Sequence, residues 1–241
     1  MMARYDFVGF DLDGTLVDSK PAFADCLRHV MSYFDRHDMD EMVDVLFPLS
    51  LDKFRDVLKI KDEASWMRFR QMYVSRFDSI SYQLVQPVDG ALDALSKCSQ
   101  KFGRQNVFLL TNRRLESAEA ILSLMQMRDF FGVVAQAPAN RSSNPKIAAL
   151  AALLSDHRQR QRGLYVGDHI KDAEAAIANG LQAVLLGREN GAVAAHDKAY
   201  ENIITLETLG QLTVILESGN ESGCRYFQEP LRSGTRKQSL G

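Results

Sequence analysis

Cysteine is scarce in this chain, and what little there is forms no pattern. Cys26, Cys98 and Cys224 are odd in number and far apart, with neither a CxxC pair nor a zinc-ligand spacing among them. They argue against a disulfide-stapled secreted scaffold and are expected to be reduced thiols in a cytoplasmic protein. An excess of one charge is lacking too. Lysines and arginines number 29 against 31 aspartates and glutamates, a formal net charge of −2, so no global basic field recruits nucleic acid or an anionic membrane. No apolar run reaches the roughly 18 residues of a membrane-spanning helix. The opening "MMARYDFVGF" meets an acid too early for a signal peptide. The five histidines show no ligand pairing, and no segment repeats another.

What is present is an ordinary globular composition, 46% hydrophobic and 25% charged over 241 residues, enough for one large domain or a domain carrying an insertion. Tyr5 to Phe10 is an apolar run ending in "DLDG", which predicts a buried strand followed by a loop. Phe23, Leu27, Val30, Met31 and Phe34 then fall on one helical face, and a helix restarts near Leu51 after Pro48. Trp66, Phe69, Tyr73, Phe77 and Ile80 form a second helical stripe, expected to be packing rather than a stacking platform for bases. Residues 18–86 thus read as helix, with no strand.

From "VQPVDG" onward the period changes. Leu92, Leu95 and Phe102 mark a helix, and "NVFLLTN" a strand. Ala118, Ile121, Leu122 and Met125 mark the next helix, followed by the strand "FFGVVAQA", the helix "PKIAALAALL" and the strand "GLYVGD". The helix "IKDAEAAIANG", closed by Gly180, and the strand "LQAVLLG" complete the series. Strand and helix in alternation predict an α/β fold: a Rossmann-like parallel sheet with helices on both faces. The helical block becomes an inserted all-helical cap whose two ends lie close together. The expected organisation is a core of residues 1–17 and 87–217, a cap of 18–86, and a Gly- and Ser-rich tail of 218–241 that buries little.

Ligands of open parallel sheets bind beyond the carboxyl ends of the strands. There the chain places Asp11 and Asp13, Thr111 and Asn112, Gly167 and Asp168 with Asp172 one helical turn on, and Lys146 at a helix start. Several carboxylates in one cleft call for a hard divalent cation such as magnesium. A lysine and a hydroxyl beside it suit phosphoryl oxygens. One aspartate can then be a nucleophile and another a general acid and base, while Gly14 lets backbone approach a phosphate. A calcium loop starting at Asp11 would need glycine and glutamate where Leu16 and Ala22 stand. His169 reads as a solvent-facing loop residue and Cys98 as a small core residue.

These segments resemble the motifs of the haloacid dehalogenase-like hydrolases: "DLDGTLVDS" the first, "LLTN" the second, Lys146 the third and "GDHIKD" the fourth, in the right order. The inserted helices are similar to the helical cap of phosphoglycolate phosphatase-like members. The resemblance implies a phosphoric monoester hydrolase with Asp11 as nucleophile and metal ligand. Asp13 would be the acid and base, its backbone carbonyl also on the metal. Thr111 and Asn112 would bind phosphoryl oxygens, Lys146 would neutralise charge, Asp168 would bind Mg2+ and Asp172 would support it. Dehalogenases of the superfamily lack the second aspartate, so Asp13 points to phosphoryl transfer. Two departures stand out: "NPKIA" reverses a common lysine–proline order, and Arg113 stands where lysine is common.

The expected partner is a small phosphorylated substrate, with no nucleic acid and no membrane, for a monomer or homodimer. Lys53 and Arg55 in the cap are candidates for a substrate anion. A phosphosugar mutase or pyrophosphatase on the same core differs in the acceptor of the phosphoryl group. A non-catalytic binder with the same fold would be expected to have lost a motif acid, and none is missing.

Overall fold

A computed structural model describes residues 5–34, 39–47, 51–138, 143–155, 162–187 and 203–218. Its centre is a six-stranded sheet, all parallel: β1 (Phe7–Phe10), β4 (Val107–Thr111), β5 (Val133–Gln136), β6 (Gly163–Gly167), β7 (Gln182–Leu186) and β8 (Ile204–Leu206), in the order β5-β4-β1-β6-β7-β8. Strands β1, β4 and β6 are buried throughout, which is why they read as unbroken apolar runs rather than alternating ones. Side chains still alternate between the two faces. Val8, Phe10, Leu109 and Val166 pack with helices α5 (Ala91–Phe102) and α6 (Leu115–Leu124) and the last helix, α9 (Leu209–Ser218). Phe7, Leu110, Tyr165 and Leu185 pack on the other face with α7 (Pro145–Leu153) and α8 (Ile170–Ala178). Helices therefore cover both faces, as the alternation predicts.

Between β1 and α5 the chain leaves the sheet. The short strands β2 (Val17–Asp18) and β3 (Gln86–Pro87) pair antiparallel, so the two ends of the excursion are joined. The described residues from 19 to 85 carry α1 (Lys20–Ser32), α2 (Met39–Leu46), α3 (Leu51–Val57), α4 (Glu63–Ser79) and a 3-10 turn at Ser81–Leu84 with no strand among them, but Asp18 and Gln86, the ends of the block expected to hold no strand, belong to β2 and β3. They have a core of their own around Phe23, Leu27, Leu46, Phe54, Trp66 and Phe69. One polar clamp ties it: Arg76 of α4 donates to Asp25 of α1 at 2.8 and 3.2 Å, and the Ser81 hydroxyl donates to the same carboxylate at 2.6 Å.

Several expectations need correction. Ile80 lies just past the end of α4 and is 47% exposed, so the helical stripe it was assigned to stops at Phe77. Leu92 lies within α5 as expected, on its exposed side. The buried face of α5 is Ala91, Ala94, Leu95, Cys98 and Phe102. Strand β8 and helix α9 extend the sheet and its cover beyond the last strand predicted. Cys26 and Cys98 are buried free thiols, which burial pushes up to about 11 and about 12. Cys224 and the tail from 219 lie outside the described residues, as do Pro48 and the side chain of Lys53. No described helix is long and apolar enough to cross a membrane.

Candidate active site

The sheet register determines where the polar residues meet. Phe10 is level with Leu109 of β4 and with Val166 of β6, so Asp11, Thr111 and Asp168 emerge from three adjacent strands at one edge. The Asp11 N–H donates to the Val166 carbonyl at 2.9 Å, continuing the ladder one step past β1. Helix α8 begins there with His169 as its N-cap. Its Nδ1 accepts from the Lys171 N–H, and the Asp172 carboxylate accepts from the His169 N–H at 3.2 Å. His169 is exposed, as expected, but its ring also closes this helix end.

One oxygen each from Asp11, Asp168 and Asp172 lies within 4.8 Å of the others. Lys146, 2% exposed, reaches this group from the first turn of α7, with Nζ 2.8 Å from Asp11 and 2.7 Å from Asp172. Pro145 opens that helix, so the reversed order "PK" still delivers the ammonium. Asn144 and Asn179 fix α7 on α8: the Asn144 amide donates to the Lys171 carbonyl at 2.7 Å and the Asn179 amide to the Ile147 carbonyl at 3.0 Å.

The charges do not balance. Burial, with Asp172 and Asp168 beside it, pushes the Asp11 carboxyl up to about 8 despite the Lys146 ammonium. Burial and Asp172 push Asp168 up to about 7. Burial would lower Lys146, yet Asp11, Tyr165 and Asp172 hold it well above the usual lysine value. One ammonium thus serves three clustered carboxylates, a donor set of hard oxygens that suits a hard divalent cation.

Asp13 is placed differently. Its carboxylate accepts two bonds from Arg113, at 2.9 Å from Nε and 2.6 Å from Nη2. Burial would raise Asp13, but Arg113, with help from the Ser19 hydroxyl, holds its carboxyl below the usual value. Its side chain therefore points to Arg113, and the side chain beside Asp11 and Asp168 is that of Asp172. Thr111 is buried, its oxygen accepting from the Arg113 N–H at 3.1 Å. Asn112 is exposed and lines the cleft.

Gly14 has a left-handed φ of +79°, and a Cβ there would lie 2.1 Å from Asp168 Oδ2. Its absent side chain makes room for a carboxylate, a tighter requirement than the approach to a phosphate first expected. Gly167 does the same for Asp172, whose Cβ would be 2.3 Å from an added methyl. Arg113, Ser19 and Tyr165 were not read as site residues. Arg113 looked like a charge-keeping replacement of lysine, and Tyr165 like one more strand residue. Its hydroxyl donates to the Leu110 carbonyl at 3.0 Å and accepts from Lys146.

Above these groups lies a cavity of about 570 Å³, roofed by rings of the inserted helices. Tyr73 and Phe77 of the predicted stripe reach it, whereas Trp66 and Phe69 pack inside the helical core. Arg55 donates to Glu63 at 2.6 Å and to the Ile60 and Lys61 carbonyls, so its guanidinium is committed within its own segment.

Comparisons with known proteins bear on the fold and the family. Tyrosine-protein kinase PtkA of Mycobacterium tuberculosis is 26% identical over 200 residues, covering 81% of this chain and 67% of the relative. A predicted phosphatase from Clostridium acetobutylicum superposes with a TM-score of 0.70 at 21% identity, over 88% of this chain and 99% of that one. The magnesium-bound HAD-hydrolase YfnB of Bacillus subtilis gives 0.69 at 19% identity, over 89% and 99%. The sequence profile of the haloacid dehalogenase-like hydrolases matches residues 8–186, and the chain belongs to that family.

Proposed function

We propose that this chain is a magnesium-dependent phosphatase of a small phosphorylated metabolite, working through an aspartyl-phosphate on Asp11. The observation that supports this most is the meeting of Asp11, Asp168, Asp172 and Lys146 at one strand edge, on the floor of a cavity roofed by the inserted segment. In this reading residues 1–17 and 87–217 are the catalytic core, and 18–86 are a cap that excludes bulk water. Asp11, Asp168 and the Asp13 carbonyl would hold magnesium, with Asp172 in support. Bound there, magnesium would offset the charge of the carboxylates and the phosphoryl oxygens.

The chain's own residues supply the rest. A carboxylate oxygen of Asp11 attacks phosphorus as the ester bond breaks. The Lys146 ammonium favours the ionised form of Asp11 against the effect of burial and draws charge from the phosphoryl oxygens. The Thr111 hydroxyl and the Asn112 amide orient those oxygens. Asp13 gives its proton to the leaving oxygen and takes one from the water that cleaves the acyl-phosphate. With Arg113 holding Asp13 ionised, the acid role requires that pair to loosen as substrate enters.

Hydrolysis of para-nitrophenyl phosphate should depend on added magnesium and stop with a chelator. Asp11→Asn should lower turnover by roughly a thousandfold or more, with the circular dichroism spectrum unchanged. Turnover retained in that variant removes the nucleophile from the scheme. The name carried by the mycobacterial relative favours a second reading, phosphoryl transfer to tyrosine. Incubation with terminally labelled ATP tests it: label appearing on tyrosine supports transfer, and release as phosphate alone counts against it.

A further inference from the structure

The cavity has two unlike ends. Its floor is the carboxylate and ammonium cluster, and its roof is aromatic. Among the described residues, the inserted segment lines it with Phe23, Phe47, Phe54, Tyr73 and Phe77, and its polar groups there are two hydroxyls, that of Tyr73 and that of Ser19, which is already bonded to Asp13. Phe23 packs edge-on to Phe47 and Phe54 at 5.4 and 5.6 Å between centroids, so these rings form one surface rather than isolated contacts. Phe47 and Tyr73 are the half-buried members, with ring surface left to offer. Among the described residues, the cations that line the cavity belong to the sheet side. Arg113 is on Asp13, Lys146 lies between Asp11 and Asp172, and Lys171 is in the first turn of α8.

This division limits the ester that fits. A sugar or a small hydroxy-acid would turn several hydroxyl or carboxylate groups toward a roof that is mostly phenyl rings, where the Tyr73 hydroxyl could pair with one of them and the rest would lose their water, and unpaired buried polar groups are costly. A flat apolar group would exchange water for ring contact at no such cost. The volume of about 570 Å³ is ample for a phosphoryl group with one aromatic ring.

We infer that the enzyme's preferred substrate is an aryl phosphate, its ring held against Phe47 and Tyr73 while its phosphoryl group faces Asp11. This rests on the reading of the floor as a phosphoryl site. Water exclusion alone would also want an apolar roof, but it would not make affinity depend on the leaving group's shape.

The test is binding of non-hydrolysable phosphonates to the full chain with magnesium, measured by calorimetry so that leaving-group reactivity plays no part. Phenylphosphonate should bind roughly tenfold or more tightly than hydroxyethylphosphonate. Tyr73→Ala and Phe47→Ala, on two separate segments, should each shrink that ratio several-fold. Equal affinities, a preference for the hydroxyethyl compound, or a ratio unmoved by both variants overturns the aryl assignment. If para-nitrophenyl, glycerol and sugar phosphates are hydrolysed while phenylphosphonate shows no preference, the phosphatase reading stands and this inference falls. A retained phenyl preference in a protein that hydrolyses none of them keeps the aryl site and removes the phosphatase. Absence of binding by either phosphonate, in a protein that hydrolyses none of the esters, overturns both.

Discussion

A methyl group at position 14 would collide with the Asp168 carboxylate and sit on backbone with φ of +79°. Gly14→Ala should therefore cost about 1–2 kcal/mol from the left-handed backbone. It should also push Asp168 away from Asp11 and raise the magnesium concentration needed for half-maximal activity. Thermal melts and a metal titration of the same variant separate the two effects. Arg113 makes a different prediction. Burial alone would raise Asp13 and the guanidinium opposes it, so Arg113→Met should move the Asp13 carboxyl titration upward, read by carbon NMR of that side chain. A titration left in place would mean that Arg113 does not govern Asp13. At this scale Asp11 and Asp168 were legible because each directly follows a strand, with Asp13 in the loop after the first and Asp172 one helical turn after the second. The partners that tune them were not, because Arg113 reaches Asp13 across 100 positions and Tyr165 reaches Leu110 across 55. No local pattern encodes such distances.

Helices α1 and α4 are held by apolar stripes that periodicity exposed and by a polar clamp that it did not. Asp25 is lowered from its usual value mainly by its bonds to Arg76, against partial burial and with help from Ser81. A depressed folded-state value means that the stabilisation is present above the unfolded carboxyl value, near 4, and is lost as pH falls through the folded one. Asp25→Asn should thus lower the melting temperature at neutral pH by roughly 2–4 °C, for a loss of about 1 kcal/mol. The two proteins should melt alike once both side chains are uncharged. A gap that persists in acid would trace the effect to packing instead. Strand β8 escaped prediction because it has three residues, too few for any period to register. Ile80 was misassigned because apolar spacing carries no information about where a helix stops, and it sits just past such an end.

On the scale of the whole molecule, the fold was legible because alternating strand and helix leave few topologies, and because a long helical block between the first strand and the rest must return to where it left. The structure closes that return with the β2–β3 pair. It adds two bridges that the sequence did not announce. Arg114, just beyond β4, pairs with Asp78 of α4, and the Arg113 guanidinium lies 4.1 Å from the centre of the Phe77 ring. Arg113 therefore touches both Asp13 and the helical roof, a position from which closure of the roof and the state of the acid can be linked. The aromatic roof was visible only as spacing, since periodicity shows that a helix face is apolar and not whether it meets other helices or a cavity.

The most direct test of the account is to trap the covalent intermediate. Protein turning over para-nitrophenyl phosphate with magnesium is quenched with borohydride, which reduces an aspartyl-phosphate to homoserine, and the peptides are read by mass spectrometry. The account predicts homoserine at position 11, dependent on magnesium and substrate. Steady turnover with position 11 unmodified, or with another carboxylate reduced in its place, would contradict it.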